Sequence, residues 1–326
     1  MLTLLVSSFF SLHAVAGKPA DPIAAAVEGL EQRAGPWTAW VDLSSDRVLL
    51  QLSEGGDGWL GDVLLVSALP SGLGSNPIGL DRGQLGAQRL VRLVRSGDRV
   101  LVEQRNMGHR ATSTSAAERA AVSESFATSI LGSLEVVAER PDGSVLVDLT
   151  EFLAEDLHDV TGALRDFGAH RLDATATFVN AGATLAFPDN LVFFTRATYA
   201  SDEPDAELWS VAPDTKRVTV TTAQLWVALP GAGYEPRQYD VRTGFFRTGF
   251  MDHAAGIGDP VWRSWIARHR LTGGDDLTYY VDPGVPEPVR SALIEGAGWW
   301  SGAFAAAGFP GAFKVEILPA EAHPLD

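Results

Sequence analysis

Apolar residues fall into short blocks along most of the chain, and the blocks have the length of β-strands. Residues 38–43, 47–52 and 62–67 are three such blocks separated by short polar breaks. Residues 89–95 and 99–104 flank Ser96-Gly97-Asp98, a hairpin-type connection. The first of this pair is ambiguous, because Arg89, Arg92 and Arg95 at three-residue spacing also suit a short helix. Further strands are predicted over 145–149, 172–179, 191–199 and 217–229. Helical spacing appears in three places. Ile23, Val27 and Leu30 mark residues 21–33, with Pro22 suited to the first turn. Val122, Phe126 and Ile130 mark residues 115–130, where Ser115 and Glu118 form a capping-box arrangement. Phe152, Leu153, Leu157, Val160 and Leu164 mark residues 150–167. Residues 17–229 therefore read as an α+β, β-rich N-terminal domain with inserted helices.

The pattern changes beyond Leu229. Residues 230–260 are rich in Gly, Pro and aromatic residues and keep no steady period, so 230–274 is expected to be an irregular connection. Order returns with a strand over 277–281, a turn at Pro283-Gly284-Val285-Pro286 and a helix beginning at Pro286. Val289, Leu293, Ala297, Trp300, Phe304 and Ala307 give that helix one apolar stripe, and Gly308 is a natural stop. A strand over 313–318 completes a strand–helix–strand unit within 275–326. At the other end, the apolar run Leu2 to Leu12 followed by Ala14-Val15-Ala16 reads as a signal peptide over 1–16, although its n-region carries only the terminal amine. Export to the periplasm or the extracellular space is the expected localisation. No later segment is long and uncharged enough to span a membrane.

Composition narrows the options. The chain has 326 residues, 46% of them hydrophobic and 20% charged, which fits a folded protein of one large and one smaller or partial domain. The net charge of −16 makes nucleic acid and anionic membrane surfaces poor partners. Cysteine is absent, which excludes disulfides, thiolate metal sites and cysteine nucleophiles.

Three segments carry a more specific signal. The first runs from Leu69-Pro70-Ser71-Gly72 through Asn76-Pro77-Ile78-Gly79-Leu80-Asp81-Arg82-Gly83 to Leu85. The second is Gly233-Tyr234-Glu235-Pro236-Arg237 with Phe250-Met251-Asp252. The third is Tyr279-Tyr280-Val281-Asp282-Pro283-Gly284-Val285-Pro286-Glu287-Pro288-Val289-Arg290, with Trp299-Trp300 after it. Together these resemble a bacterial family of exported zinc-dependent metallopeptidases of the metzincin type. In that family an N-terminal domain of unknown function precedes the catalytic domain. The resemblance implies peptide-bond hydrolysis by zinc-activated water in a full-length parent. Its motif, H-E-x-x-H-x-x-G-x-x-H, places two imidazoles on one helix face, a third to close the zinc shell, and a glutamate as general base.

None of the seven histidines here is followed by Glu, and no two are four residues apart. No catalytic, cofactor-binding or metal residue is therefore assigned, and zinc is expected only in the full-length parent. The unit over 275–326 is expected to be the incomplete beginning of the catalytic domain, and the chain to be inactive alone. Its expected partners are the remainder of that domain and the parent's peptide or protein substrate. A fragment or a frameshifted gene is the favoured origin. The alternatives are a natural remnant or a stand-alone secreted binding or scaffold module derived from a peptidase.

Other local signals read as structural. The loop Gly72–Gly83 lacks a phosphate-loop pattern, and Asp81 and Arg82 are expected to bond the turn or a neighbouring strand. His253 beside Asp252, and His158 with Asp156 and Asp159, lack a third partner at a recognisable spacing. Asp275-Asp276 lacks the spacing of a calcium loop. Trp300 is expected in the core and Trp299 partly exposed or against the missing domain.

Overall fold

The computed structural model describes residues 21–56, 58–74, 76–271 and 277–326. The signal-peptide segment 1–16 and the pair Asp275-Asp276 lie outside the described residues. In chain order the strands begin with β1 (Glu31–Ala34), β2 (Thr38–Asp42), β3 (Arg47–Leu52), β4 (Trp59–Ser71), β5 (Gln84–Ser96), β6 (Arg99–Gln104) and β7 (His109–Arg110). They continue with β8 (Ser129–Glu139), β9 (Val145–Asp148), β10 (Arg171–Leu172), β11 (Phe178–Ala186), β12 (Asn190–Ala200) and β13 (Arg217–Ala228). All of these except β7 form one sheet in the order β1-β2-β3-β9-β8-β6-β5-β4-β13-β12-β10, with β11 also paired to β12. Every pairing in it is antiparallel.

The sheet curls until its ends nearly meet. The Arg33 Nε of β1 donates to the Thr184 carbonyl of β11 at 3.2 Å. Gly35 sits so close to β12 that a Cβ there would come within 2.9 Å of the Leu191 side chain and 3.1 Å of the Phe187 carbonyl. Alternate residues point inward, as the two-residue period of a strand requires. Val41, Val48, Leu50, Leu65, Val91 and Val147 are among those fully buried in the resulting core. Trp226 of β13 is fully buried there, with Phe152 and Phe193 edge-on to it at 6.1 and 6.4 Å. A second apolar cluster lies where the 72–83 loop folds over Val160, Leu164, Tyr199 and Leu208. Gly72 permits this fold, because a Cβ there would fall onto the Leu80 carbonyl oxygen.

The predicted strands at 38–43, 47–52, 99–104, 145–149, 191–199 and 217–229 are present with small boundary changes. Residues 89–95 lie within β5, so the helical option for them falls. Other expectations need correction. The helix over 21–33 is only α1 (Pro22–Ala26), capped by the Asp21 carboxylate, and its last residues form β1. The helix over 115–130 is α2 (Ala116–Ser125), capped by the Ser115 hydroxyl. Phe126 is already extended, and Ser129 opens β8. The helix over 150–167 is broken into α3 (Thr150–Leu153), α4 (Val160–Ala163) and a 3₁₀ turn, Arg165–Phe167. Local hydrogen bonding breaks it. The Asp156 carboxylate accepts from the Val160 and Thr161 amides, and Asp159 caps α4 with φ at 63°. The strand over 172–179 is interrupted by a 3₁₀ turn, Ala174–Ala176, before β11 begins.

Residues 230–274 are not wholly irregular. They contain β14 (Arg247–Asp252) and β15 (Trp262–Ile266), which pair antiparallel, while β7 joins β14 in parallel to make a three-stranded sheet. The C-terminal unit consists of β16 (Leu277–Val281), α5 (Val289–Gly298), α6 (Trp300–Ala306) and β17 (Phe313–Ile317). β16 and β17 pair in parallel with the helices as crossover, and Gly308 at φ 95° ends the helical stretch. Among the described residues no helix is long and apolar enough to cross a membrane.

Trp226→Ala removes the largest fully buried side chain and is expected to cost about 3–5 kcal/mol in urea unfolding. A loss below about 1 kcal/mol would mean that the curled sheet does not close on a packed interior.

Candidate functional site

The second, three-stranded sheet positions a cluster of imidazole and guanidinium groups. β7 runs beside β14 in register Met251↔His109 and Asp252↔Arg110. The His253 amide extends this pairing by donating to the Arg110 carbonyl at 2.8 Å. The register brings the two imidazoles together, with His109 Nδ1 and His253 Nε2 3.0 Å apart. One ring donates and the other accepts, so at least one of them is neutral in this geometry. Phe126, at the end of α2, stacks on His109 at 3.8 Å and stands 4.8 Å from the His253 ring.

Asp252 locks this arrangement from beneath. It is fully buried, and its carboxylate accepts from the Thr112 amide at 2.9 Å, the Thr112 hydroxyl, the Ala254 amide at 3.2 Å and the Arg263 Nε at 3.3 Å. Burial alone pushes the carboxyl up, but these donors together outweigh it and hold Asp252 at about 2.

Beside the imidazoles lies a pocket of about 400 Å³ between α2, β6 and the residues leading into β7. Four arginines line it, Arg92, Arg105, Arg110 and Arg119, with Glu103 the one acid in its lining. Arg92 is held by Asp62 through contacts of 2.9 and 3.3 Å, and Arg105 stands 3.9 Å from the same carboxylate. Arg110 is different. Its Nε donates to the Met107 carbonyl at 3.2 Å, and its guanidinium carbon lies 4.5 Å from the centre of the Phe250 ring. Burial and then the charge of Arg105 push the Arg110 guanidinium below its ordinary range. Arg119 donates to the Ser113 carbonyl at 2.7 Å. Among the described residues, no carboxylate lies within ion-pair distance of Arg110 or Arg119.

The residues singled out in the sequence are placed as follows. His253 meets an imidazole and an aromatic ring, while the Asp252 carboxylate turns away from it toward Thr112. His158 is half-buried, and burial lowers its pKa. Its neighbours Asp156 and Asp159 are turned to backbone amides, and Asp156 also accepts from the Tyr199 hydroxyl at 2.9 Å. Among the described residues, no three His, Asp or Glu side chains gather as a metal-binding group. Arg82 does not bond its own turn. It reaches Asp282 of the C-terminal unit at 2.7 Å, so the 72–83 loop touches that unit. Trp300, expected in the core, is 62% exposed and Trp299 is 74% exposed, because no described element packs over that helix face. His109 and the converging arginines escaped sequence reasoning. The arginines recur at 89, 92, 95, 99, 105 and 110, but only the register of β5, β6 and β7 shows which of them share a pocket.

Asp252 sets an expected pH dependence. Its folded pKa lies below the unfolded value, so its contribution is present above about pH 4 and is lost as pH falls toward 2. A depression of this size corresponds to about 2 kcal/mol. Asp252→Asn is expected to lower stability at pH 7 by about that amount and to flatten the acid limb between pH 4 and 2. Urea midpoints measured across that range check it, and an unchanged acid limb in the variant would remove Asp252 as its cause.

No curated protein and no solved structure matches the chain. One family does match, over residues 83–273, more than half of the chain. That span holds the whole imidazole cluster, the four arginines and the three-stranded sheet. The chain belongs to the family described as a domain of unknown function (DUF5117).

Proposed function

We propose that this chain is the non-catalytic N-terminal part of a secreted or periplasmic zinc-dependent metallopeptidase of the metzincin type. Its last unit, β16–α5–α6–β17, is the beginning of the catalytic domain. The observation that carries the reading is the state of that unit. It is a parallel strand–helix–strand crossover, yet no residue of α5 or α6 is buried. Tyr279, Tyr280, Leu293, Trp299 and Trp300 are all exposed. Parallel strands are ordinarily covered on both faces, and a two-stranded sheet with one helical layer buries too little apolar surface to stand alone. The rest of an α/β catalytic domain is the partner that would cover it. Zinc, the three imidazoles and the general base would belong to that remainder, and the parent reaction would be peptide-bond hydrolysis. The barrel-like module supports the unit through the Arg82–Asp282 bridge and through the Asn190 Nδ2 bond to the Leu325 carbonyl at 2.8 Å.

One observation favours a second reading, a stand-alone secreted binding module. Leu325 packs against the cluster containing Val66, Val192 and Leu225 on the outside of the sheet, which ties residues beyond β17 to the barrel-like module.

Two measurements separate the readings. Under the first, the gene is expected to continue in frame past codon 326 to an H-E-x-x-H motif; a genuine stop with no such motif in any nearby frame would favour the binding module. The purified chain is expected to hold no stoichiometric zinc by elemental analysis and to cleave no peptide, and zinc at one equivalent with turnover would overturn both readings. A third measurement addresses the exposed face. Trp299→Glu with Trp300→Glu is expected to reduce dye binding to apolar surface and aggregation, with stability changed by no more than about 0.5 kcal/mol. Unfolding of the double variant would mean that the face is packed within this chain.

A further inference from the structure

The four-arginine pocket is the strongest feature that the peptidase reading leaves unused. Its chemistry runs against the rest of the molecule. The chain carries 25 basic and 41 acidic residues, yet four arginines and one glutamate line this single cavity. Counting Asp62, which engages Arg92 and stands near Arg105, four guanidinium groups face two carboxylates and two positive charges remain uncompensated. Arg110 bears most of the cost, being half-buried beside Arg105 with its side chain over the Phe250 ring and bonded to the Met107 carbonyl. Like charges gathered in a partly desolvated site repel each other, and the arrangement is relieved by an oxyanion. Guanidinium forks match the paired oxygens of phosphate and carboxylate groups.

The cavity also has room and walls for more than a bare ion. Its volume of about 400 Å³ is within the range of small-molecule sites. Met107, Val122 and Phe126 give it an apolar side, and Asn106, Ser123 and Thr128 supply neutral hydrogen-bonding groups. Three of the arginines have contacts that orient them. Arg92 makes a two-point contact with Asp62, Arg110 donates to the Met107 carbonyl and lies over Phe250, and Arg119 donates to the Ser113 carbonyl.

We propose that this pocket binds a small dianion, a phosphate ester or a dicarboxylate, between Arg105, Arg110 and Arg119, with its organic part against Phe126. The site is independent of zinc and of the exposed helix face, so it stands or falls apart from the peptidase reading. The residues that form it lie within the span that defines the family, which makes it a property of the module rather than of the C-terminal unit.

The test is isothermal titration of the full chain at low ionic strength with inorganic phosphate, phenyl phosphate and succinate. At least one of the three is expected to saturate a single site, and affinity is expected to fall as salt rises. Phenyl phosphate tighter than phosphate identifies an ester with an apolar body, and succinate tightest identifies a dicarboxylate. Arg105→Gln with Arg110→Gln is expected to weaken binding at least tenfold while the melting temperature stays equal or rises, because like charges have been removed. If that variant does not fold, Arg119→Gln on the exposed face of α2 is expected to weaken binding with the fold intact. No saturable binding of any probe, or equal binding in the arginine variants, overturns the proposal.

Discussion

Closure of one long antiparallel ladder is the constraint on which the rest depends. A sheet this long would otherwise present two open edges, each a row of unpaired amides and carbonyls. Here the strand that opens the ladder is brought close to β11 and β12 near its other end, with the Arg33 guanidinium reaching the Thr184 carbonyl and Gly35 pressed against β12. The curl then gives alternate side chains an interior, and Trp226, Phe152 and Phe193 fill it. Without that interior, the short strands β1, β2 and β9 would have little to bury.

The three-stranded sheet is built on this frame and not beside it. β7 follows β6 after only a few residues, so its position is inherited from the ladder, and β14 must come to it from far along the chain. The junction is made by Asp252, whose buried carboxylate collects two donors from Thr112, one from Ala254 and one from Arg263. A buried charge is tolerated where donors surround it in this way. The same junction sets His253 against His109 and aims Arg110 at the pocket. A stability element and a candidate binding element thus adjoin in one piece of structure, with Arg110 paired to Asp252 and lining the pocket.

The strands of the ladder were legible from two patterns, alternation where one face is buried and a short apolar run where both are. Residues 99–104 and 217–222 carry that alternation openly, while 48–50 and 222–226 are buried without a break. The failures have local causes. Residues 150–167 keep helical spacing of their apolar residues, but Asp156 and Asp159 offer their carboxylates to nearby amides and win over helix continuation. β8 went unseen because few of its residues are buried, so no two-residue period is written into it. β14 and β15 were hidden among glycines and aromatics, since Phe250 and Ile266 are their only buried apolar residues. The pocket was unreadable for another reason. Arg92, Arg105, Arg110 and Arg119 are separate letters until strand register and the end of α2 bring them together.

An acidic protein with a cationic pocket poses an electrostatic question that distance resolves. The net charge of −16 repels a dianion while it is far away. At physiological ionic strength, however, charges farther than about 8 Å are largely screened, so the distant carboxylates contribute little once the ligand reaches the surface. Within the pocket the nearest charges are the guanidinium groups, partly shielded from water by Phe126, Met107 and Val122. Interactions there are stronger for the same separation, because the local dielectric is lower than that of the solvent. The long-range field therefore slows encounter, while the short-range one governs retention. Such a site would discriminate by charge and shape at contact, and its selectivity would reside in the few residues that β6, β7 and α2 bring within reach of the ligand.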